Sequence, residues 1–212
     1  MNKPRDNKNP TDHGIRVVFF DIGKVLLEFD VGTVLRRFAG AVRSHPIKIA
    51  HQILSRKLID GVERGNIPPK RIFRVFKDDF GYAGDYEAFR LLWCDQFTLN
   101  RKSAGILRRV RRRCRVYLLS NTNQLHFDYI REKYAFARQV DGALLSHRLH
   151  LRKPEPAIYH AALKRARVKA SQALFIDDMK GNVAAARRLG WHGIHFKNAG
   201  QLESDLKKLG VL

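Results

Sequence analysis

Three stretches of this chain are apolar without interruption and without helical period: Val17-Val18-Phe19-Phe20, Val116-Tyr117-Leu118-Leu119 and Leu174-Phe175-Ile176. Such short runs suit strands buried on both faces, as in a parallel sheet covered by helices. From Lys102 onward the spacing predicts a helix, a strand over 116–119, a helix over about 124–133 and a short strand near 143–145. A helix over 156–166, a strand over 173–176, a helix over 180–189, a strand over 193–196 and a final helix follow. This alternation predicts an α/β, Rossmann-like three-layer core built on a parallel sheet. Gly190 stands where a left-handed residue closes a helix.

The alternation is interrupted once. From about Asp30 to Phe97 the pattern is helical throughout, with Val34, Leu35, Phe38 and Val42 on one stripe and Ile72, Phe73, Phe76 and Phe80 on another. Pro68-Pro69 suits the first turn of the second helix, and Asp85 suits the N-cap of a third that carries Phe89, Leu92 and Trp93. The expected organisation is therefore a flexible tail over 1–14, a core over 15–29 and 98–212, and an inserted helical cap over 30–97. The aromatic stripes read as core.

Polar residues follow the apolar runs: Asp21-Ile22-Gly23, Ser120-Asn121, Lys153-Pro154, and Asp177-Asp178 with Asn182. In open α/β sheets the ligand crevice lies outside the carboxyl ends of the strands, so these residues are expected to converge. Each alone is weak: an Asp after a strand is commonly a cap, and Ser-Asn a turn. Four in this order outline a phosphoryl-transfer site. Asp21 is the candidate nucleophile, since a carboxylate can attack phosphorus and split one hydrolysis into two displacements. Asp177 and Asp178 are a costly like-charged pair unless a cation sits among them and Asp21, and an all-oxygen set suits magnesium, with the Gly23 carbonyl as a further ligand. Lys153, the Ser120 hydroxyl and the Asn121 backbone N–H are placed to hold phosphoryl oxygens, and Asn182 to orient the acidic pair.

Composition narrows the setting. The 212 residues suffice for a full core, no 18-residue apolar run predicts a membrane span, and the polar N-terminus lacks a signal-peptide pattern, so a cytoplasmic location is expected. Two cysteines, Cys94 and Cys114, are too few for a disulfide framework and read as buried thiols. The nine histidines, His147 and His150 among them, show no zinc spacing. Lys and Arg number 41 against 20 Asp and Glu, a net charge of +21. Such a field attracts polyanions. The densest cluster, Arg108, Arg109, Arg111, Arg112, Arg113 and Arg115, lacks interleaved aromatics and a nucleic-acid module, and reads first as a solvated face.

The segments FFDIGKVLLEFD, YLLSNTN, RKPEPAIY and FIDDMKGN resemble the four motifs of the haloacid dehalogenase superfamily. Their wording is most similar to the subgroup of α-D-glucose-1-phosphate phosphatases and the phosphatase halves of soluble epoxide hydrolases, and Glu63-Arg64-Gly65-Asn66-Ile67 resembles that subgroup's cap. The resemblance implies a magnesium-dependent phosphomonoester hydrolase acting on a small phosphorylated metabolite, a sugar phosphate among the candidates, through a phosphorylated Asp21. It implies Asp21, Gly23 by its carbonyl and Asp178 as direct metal ligands, with Asp177 acting through water. One departure stands out: most phosphatases of the superfamily carry an acid/base aspartate two residues after the nucleophile, where this chain has Gly23, followed by Lys24. Two rival readings remain. A metal-independent haloacid dehalogenase also lacks that aspartate, but its pattern has neutral residues at the Asp177-Asp178 positions. A weakened binding protein would use the +21 charge to hold nucleic acid or another polyanion.

Overall fold

The computed structural model describes residues 14–42, 45, 47, 50–51 and 58–212. Apart from Gly14, the expected N-terminal tail lies outside them. Five parallel strands form the main sheet: β1 (Val17–Phe20), β4 (Arg115–Ser120), β5 (Gly142–Leu145), β6 (Ala173–Asp177) and β7 (His192–His195), in the order β5-β4-β1-β6-β7. The chain runs outward on one side of β1 through β4 and β5, then returns to the other side for β6 and β7. The connections thus diverge beside β1, where an open sheet leaves its crevice.

Alternate residues of the central strands face opposite layers. Val18, Phe20, Val116, Leu118, Leu174 and Ile176 join one apolar cluster with the helices Arg101–Val110, Gln124–Lys133 and Ala199–Lys208. Val17, Phe19, Tyr117, Leu119, Ala173 and Phe175 join another with the helices Pro156–Ala166 and Lys180–Arg188. Burying each large side chain in these layers contributes roughly 1.5–3 kcal/mol. No described helix is long and apolar enough to cross a membrane.

A two-stranded ribbon, β2 (Leu27–Glu28) with β3 (Thr98–Leu99), carries the insertion. Its described helices are α1 (Val31–Ala41), α2 (Leu58–Glu63), α3 (Pro69–Phe80) and α4 (Tyr86–Cys94). Asp30 and Asp85 cap α1 and α4 through the amides of Thr33 and Ala88, and Pro69 opens α3. Phe38, Ile72, Phe76, Phe89 and Trp93 pack together, but this cluster also takes in Leu125 and Tyr129 of the core helix Gln124–Lys133. The insertion therefore shares its apolar core with the layer below it.

Charge joins the same two parts. Arg64 bridges Asp60 at 3.2 Å and Glu155 at 2.5 Å, while Arg152 reaches Asp60 at 2.5 Å and Glu63 at 2.6 Å. Asp60, Glu63 and Arg64 belong to the insertion, Arg152 and Glu155 to the loop before the helix Pro156–Ala166. Gly65 makes the approach possible: its φ is +73°, and a Cβ there would run into the His147 carbonyl.

Cys94 and Cys114 are buried free thiols, and burial pushes their pKa values up to about 12 and about 11. The arginine cluster runs from the end of the helix Arg101–Val110 to the first residue of β4, so it sits at the edge of the sheet opposite Ser120. Arg109 pairs there with Glu203 at 2.9 Å, and Arg113 donates to the Gly210 carbonyl at 3.2 Å.

Replacing Gly65 with Ala is expected to destabilise the fold by roughly 1–3 kcal/mol in urea denaturation, because it adds a clash to a left-handed backbone. Gly81→Ala, at φ +68° but with open space around it, is the control for backbone strain alone.

Candidate active site

Register brings the first two acidic groups together. Phe20 pairs with Ile176, and the Asp21 amide donates to the Ile176 carbonyl at 2.9 Å, so Asp21 and Asp177 leave neighbouring strands at the same level. Both are buried. Lys153, fully buried, lies between them, with its Nζ 2.9 Å from Asp21 Oδ1 and 2.6 Å from Asp177 Oδ2. Burial disfavours the ammonium, but the two carboxylates outweigh it and hold its pKa above the ordinary lysine range.

Asp21 is poised differently. Burial pushes its pKa up to about 6, against the lowering effect of Lys153 and with a further push from Asp177. Its Oδ1 accepts the Ile22 amide at 2.7 Å, and the Ser120 hydroxyl hydrogen-bonds the same carboxylate. Ser120 ends β4 on the other side of β1, so three adjacent strand ends meet at this one carboxylate.

Asp177 has its acceptors engaged by the Met179 amide at 2.8 Å, the Asn182 amide group at 3.0 and 3.1 Å, and Lys153. Asn182 is anchored in turn, its carbonyl accepting from the Tyr159 hydroxyl at 2.9 Å. Asp178 is half-buried, and its carboxyl pKa is raised by burial and by the Asp177 charge. Oxygens of Asp21, Asp177 and Asp178 lie within 4.8 Å of one another, close enough for one cation. A set of three carboxylates fits a hard divalent ion, which would relieve the repulsion that Lys153 only partly offsets.

All the expected strand-end residues therefore gather at one edge of the sheet. Asn121 is used in a way its position did not suggest: its side chain donates to the Lys153 carbonyl at 3.0 Å and accepts the Lys153 amide at 2.8 Å, holding the lysine's backbone. Gly23 begins the turn toward β2, bridged to Leu27. The space beside it is taken, since a Cβ at position 23 would lie 3.1 Å from the Phe29 ring. Lys24, in a left-handed conformation at φ +58°, donates its ammonium to the Phe29 carbonyl and lies 4.7 Å from the Phe29 ring centroid. It braces the turn.

Glu63 was not singled out by the sequence as a site residue. Its carboxyl reaches Arg152, next in the chain to Lys153; burial raises its pKa against the charges of Arg152 and Lys153. The nearest signal was the resemblance of Glu63-Arg64-Gly65-Asn66-Ile67 to a helical cap, which cannot reveal that the segment docks on residues 147–155.

A carboxylate and a serine at neighbouring strand ends, a buried lysine and a paired acidic loop thus meet at one edge of a Rossmann-like core. A sequence profile of the haloacid dehalogenase-like hydrolases matches residues 15–190, and the chain belongs to that family of hydrolases. It is 26% identical over 186 residues to the sesquiterpene phosphatase astK of Aspergillus oryzae, covering 85% of this chain and 94% of the relative. It is 22% identical over 199 residues to a D-ribitol-5-phosphate phosphatase of Bacteroides thetaiotaomicron, covering 91% and 97%. Among solved structures, a haloacid dehalogenase family enzyme of the same bacterium, in complex with magnesium and inorganic phosphate, superimposes with a TM-score of 0.73 at 25% identity, covering 87% of this chain and 95% of that one.

The raised Asp21 pKa has a consequence for the metal-free protein. The folded value, about 6, lies above the ordinary aspartate value of 3.8, so the stabilisation gained on protonation is complete below 3.8 and lost as pH rises through 6. In chelator, urea denaturation should show wild type gaining stability from pH 7 to pH 5 relative to Asp21→Asn. Parallel curves would contradict this origin of the shift.

Proposed function

We propose that the protein is a magnesium-dependent phosphomonoester hydrolase acting on a small phosphorylated metabolite. The observation that carries this reading is the buried Lys153 ammonium bridging Asp21 and Asp177, beside a carboxylate set able to hold a divalent cation. The relatives named as phosphatases, and the related structure holding magnesium and phosphate, support it.

In the proposed reaction an Asp21 oxygen attacks phosphorus, the phosphorus–oxygen ester bond breaks, and the alkoxide departs and takes a proton from water to become the alcohol. Water then attacks the aspartyl-phosphate, releasing orthophosphate and restoring Asp21. Asp21 and Asp178, with the Gly23 carbonyl, would hold the magnesium ion, and Asp177 acts behind them. When bound, the ion supplies charge that screens carboxylate from phosphate. Lys153 and Ser120 carry the phosphoryl oxygens, and Asn121 fixes Lys153 by its backbone. Asn182 holds Asp177, and so sets the second anchor of Lys153.

The insertion acts as a cap, latched by Arg64, Arg152 and their carboxylate partners, and excludes water from the site. With Gly23 in place of the usual acid and Phe29 filling the space, the leaving group departs with little help. Substrates with readily departing groups suit this site best, and an anomeric sugar phosphate, as in the glucose-1-phosphate phosphatase subgroup, meets that condition. The acidic pair also sets the site apart from a metal-independent dehalogenase.

Phosphate release from p-nitrophenyl phosphate and a panel of sugar phosphates should require magnesium and fall by more than ~10³-fold in Asp21→Asn. Turnover that persists in chelator or in that variant would overturn the reading. Gly23→Asp in a Phe29→Ala background should raise kcat on alkyl phosphates more than on p-nitrophenyl phosphate, whose leaving group needs no proton. Gly23→Asp alone should gain little, because the ring occupies the position its side chain requires.

A further inference from the structure

A cavity of about 760 Å³ opens on the metal-facing side of the site, with Asp178 in its wall. It lies between the turn after β1, the start of the helix Arg101–Val110 and the loop following β7. Each of those three elements contributes one lysine to the lining: Lys24, Lys102 and Lys197. Lys24 is committed to the Phe29 carbonyl and ring. Lys102 and Lys197 are exposed, and neither side chain has an ion-pair partner among the described residues.

Two acidic groups share the lining. Glu28 accepts the Asn100 side-chain amide at 3.1 Å, and Asp178 belongs to the carboxylate set that a cation would neutralise. Three lysines against these two carboxylates leave the lining net positive, and the cavity adjoins the carboxylate set at Asp178. Asp21, Ser120 and Lys153 do not line this cavity, so a phosphoryl group held by them leaves it free for a second group.

We propose that this cavity seats a second phosphate group of the substrate, held by Lys102 and Lys197, so that the preferred substrates carry two phosphates close together. The inference rests on the phosphatase reading above and narrows it. Two exposed ammonium groups flanking one phosphate should improve its binding about tenfold. A lysine ammonium is a flexible point charge, which suits recognition of a phosphate whose ester group varies.

The test is calorimetric binding of inorganic pyrophosphate and of orthophosphate at one fixed free magnesium concentration. It compares Asp21→Asn protein with the same protein carrying Lys102→Ala and Lys197→Ala. The proposal expects pyrophosphate to bind more tightly than orthophosphate, and the double lysine change to weaken pyrophosphate about tenfold more than orthophosphate. Equal weakening of both anions, no weakening, or no preference for pyrophosphate would overturn it. Parallel kinetics on p-nitrophenyl phosphate with the unmodified protein separate the two claims. Absence of turnover there, with pyrophosphate discrimination intact, would remove the phosphatase reading and leave the anion seat standing.

Discussion

The architecture of the site depends on one buried contact, the Lys153 ammonium between Asp21 and Asp177. Parallel pairing of β1 with β6 forces the two carboxylates side by side, and burial makes their mutual repulsion severe. Lys153 places a positive charge between them and offsets that repulsion. Everything nearby serves to hold that lysine and its partners in place: Asn121 clasps its backbone, Asn182 and the Met179 amide fix Asp177, and Tyr159 fixes Asn182. Burial, with a further push from the Asp177 charge, holds the Asp21 pKa up against the pull of Lys153. A divalent cation would supply the missing charge, so the geometry that strains the metal-free site is the geometry that would bind metal.

The parts around this centre are joined by the same logic of paired charge. Arg152, one residue from Lys153, ties the inserted helices to the core through Asp60 and Glu63, and Arg64 returns the tie to Glu155. Gly65 permits the close contact with residue 147 that sets their approach. On the opposite wall, Phe29 and Lys24 form a small unit that fills the space beside Gly23. Gly23 and the Phe29 ring six residues later are thus packed as one unit.

Much of this was legible before the structure. The uninterrupted apolar runs located β1, β4 and β6 to within a residue or two, because strands buried on both faces leave no polar position to blur them. Their polar successors located Asp21, Ser120 and Asp177, because in a parallel sheet all such ends point the same way. The insertion was legible as helices, through the stripes of Phe76 and Phe89, but its orientation was not. Periodicity reports which face of a helix is apolar and says nothing of what that face meets, so the sharing of Leu125 and Tyr129, and the docking of Arg64 on Glu155, could not be read. Lys24 was unreadable for another reason. A lysine's charge alone does not say whether it faces ligand or backbone, and here a left-handed turn aims it at the Phe29 carbonyl.

The central claim is that Asp21, held against Lys153, takes the phosphoryl group itself. Rapid acid quenching during turnover, followed by peptide mass mapping, tests that claim most directly. The account predicts a phosphoryl mass increment on the peptide containing Asp21, transient and absent when magnesium is withheld. Steady phosphate release with that peptide unmodified at every quench time, or with the increment on another peptide, would contradict it.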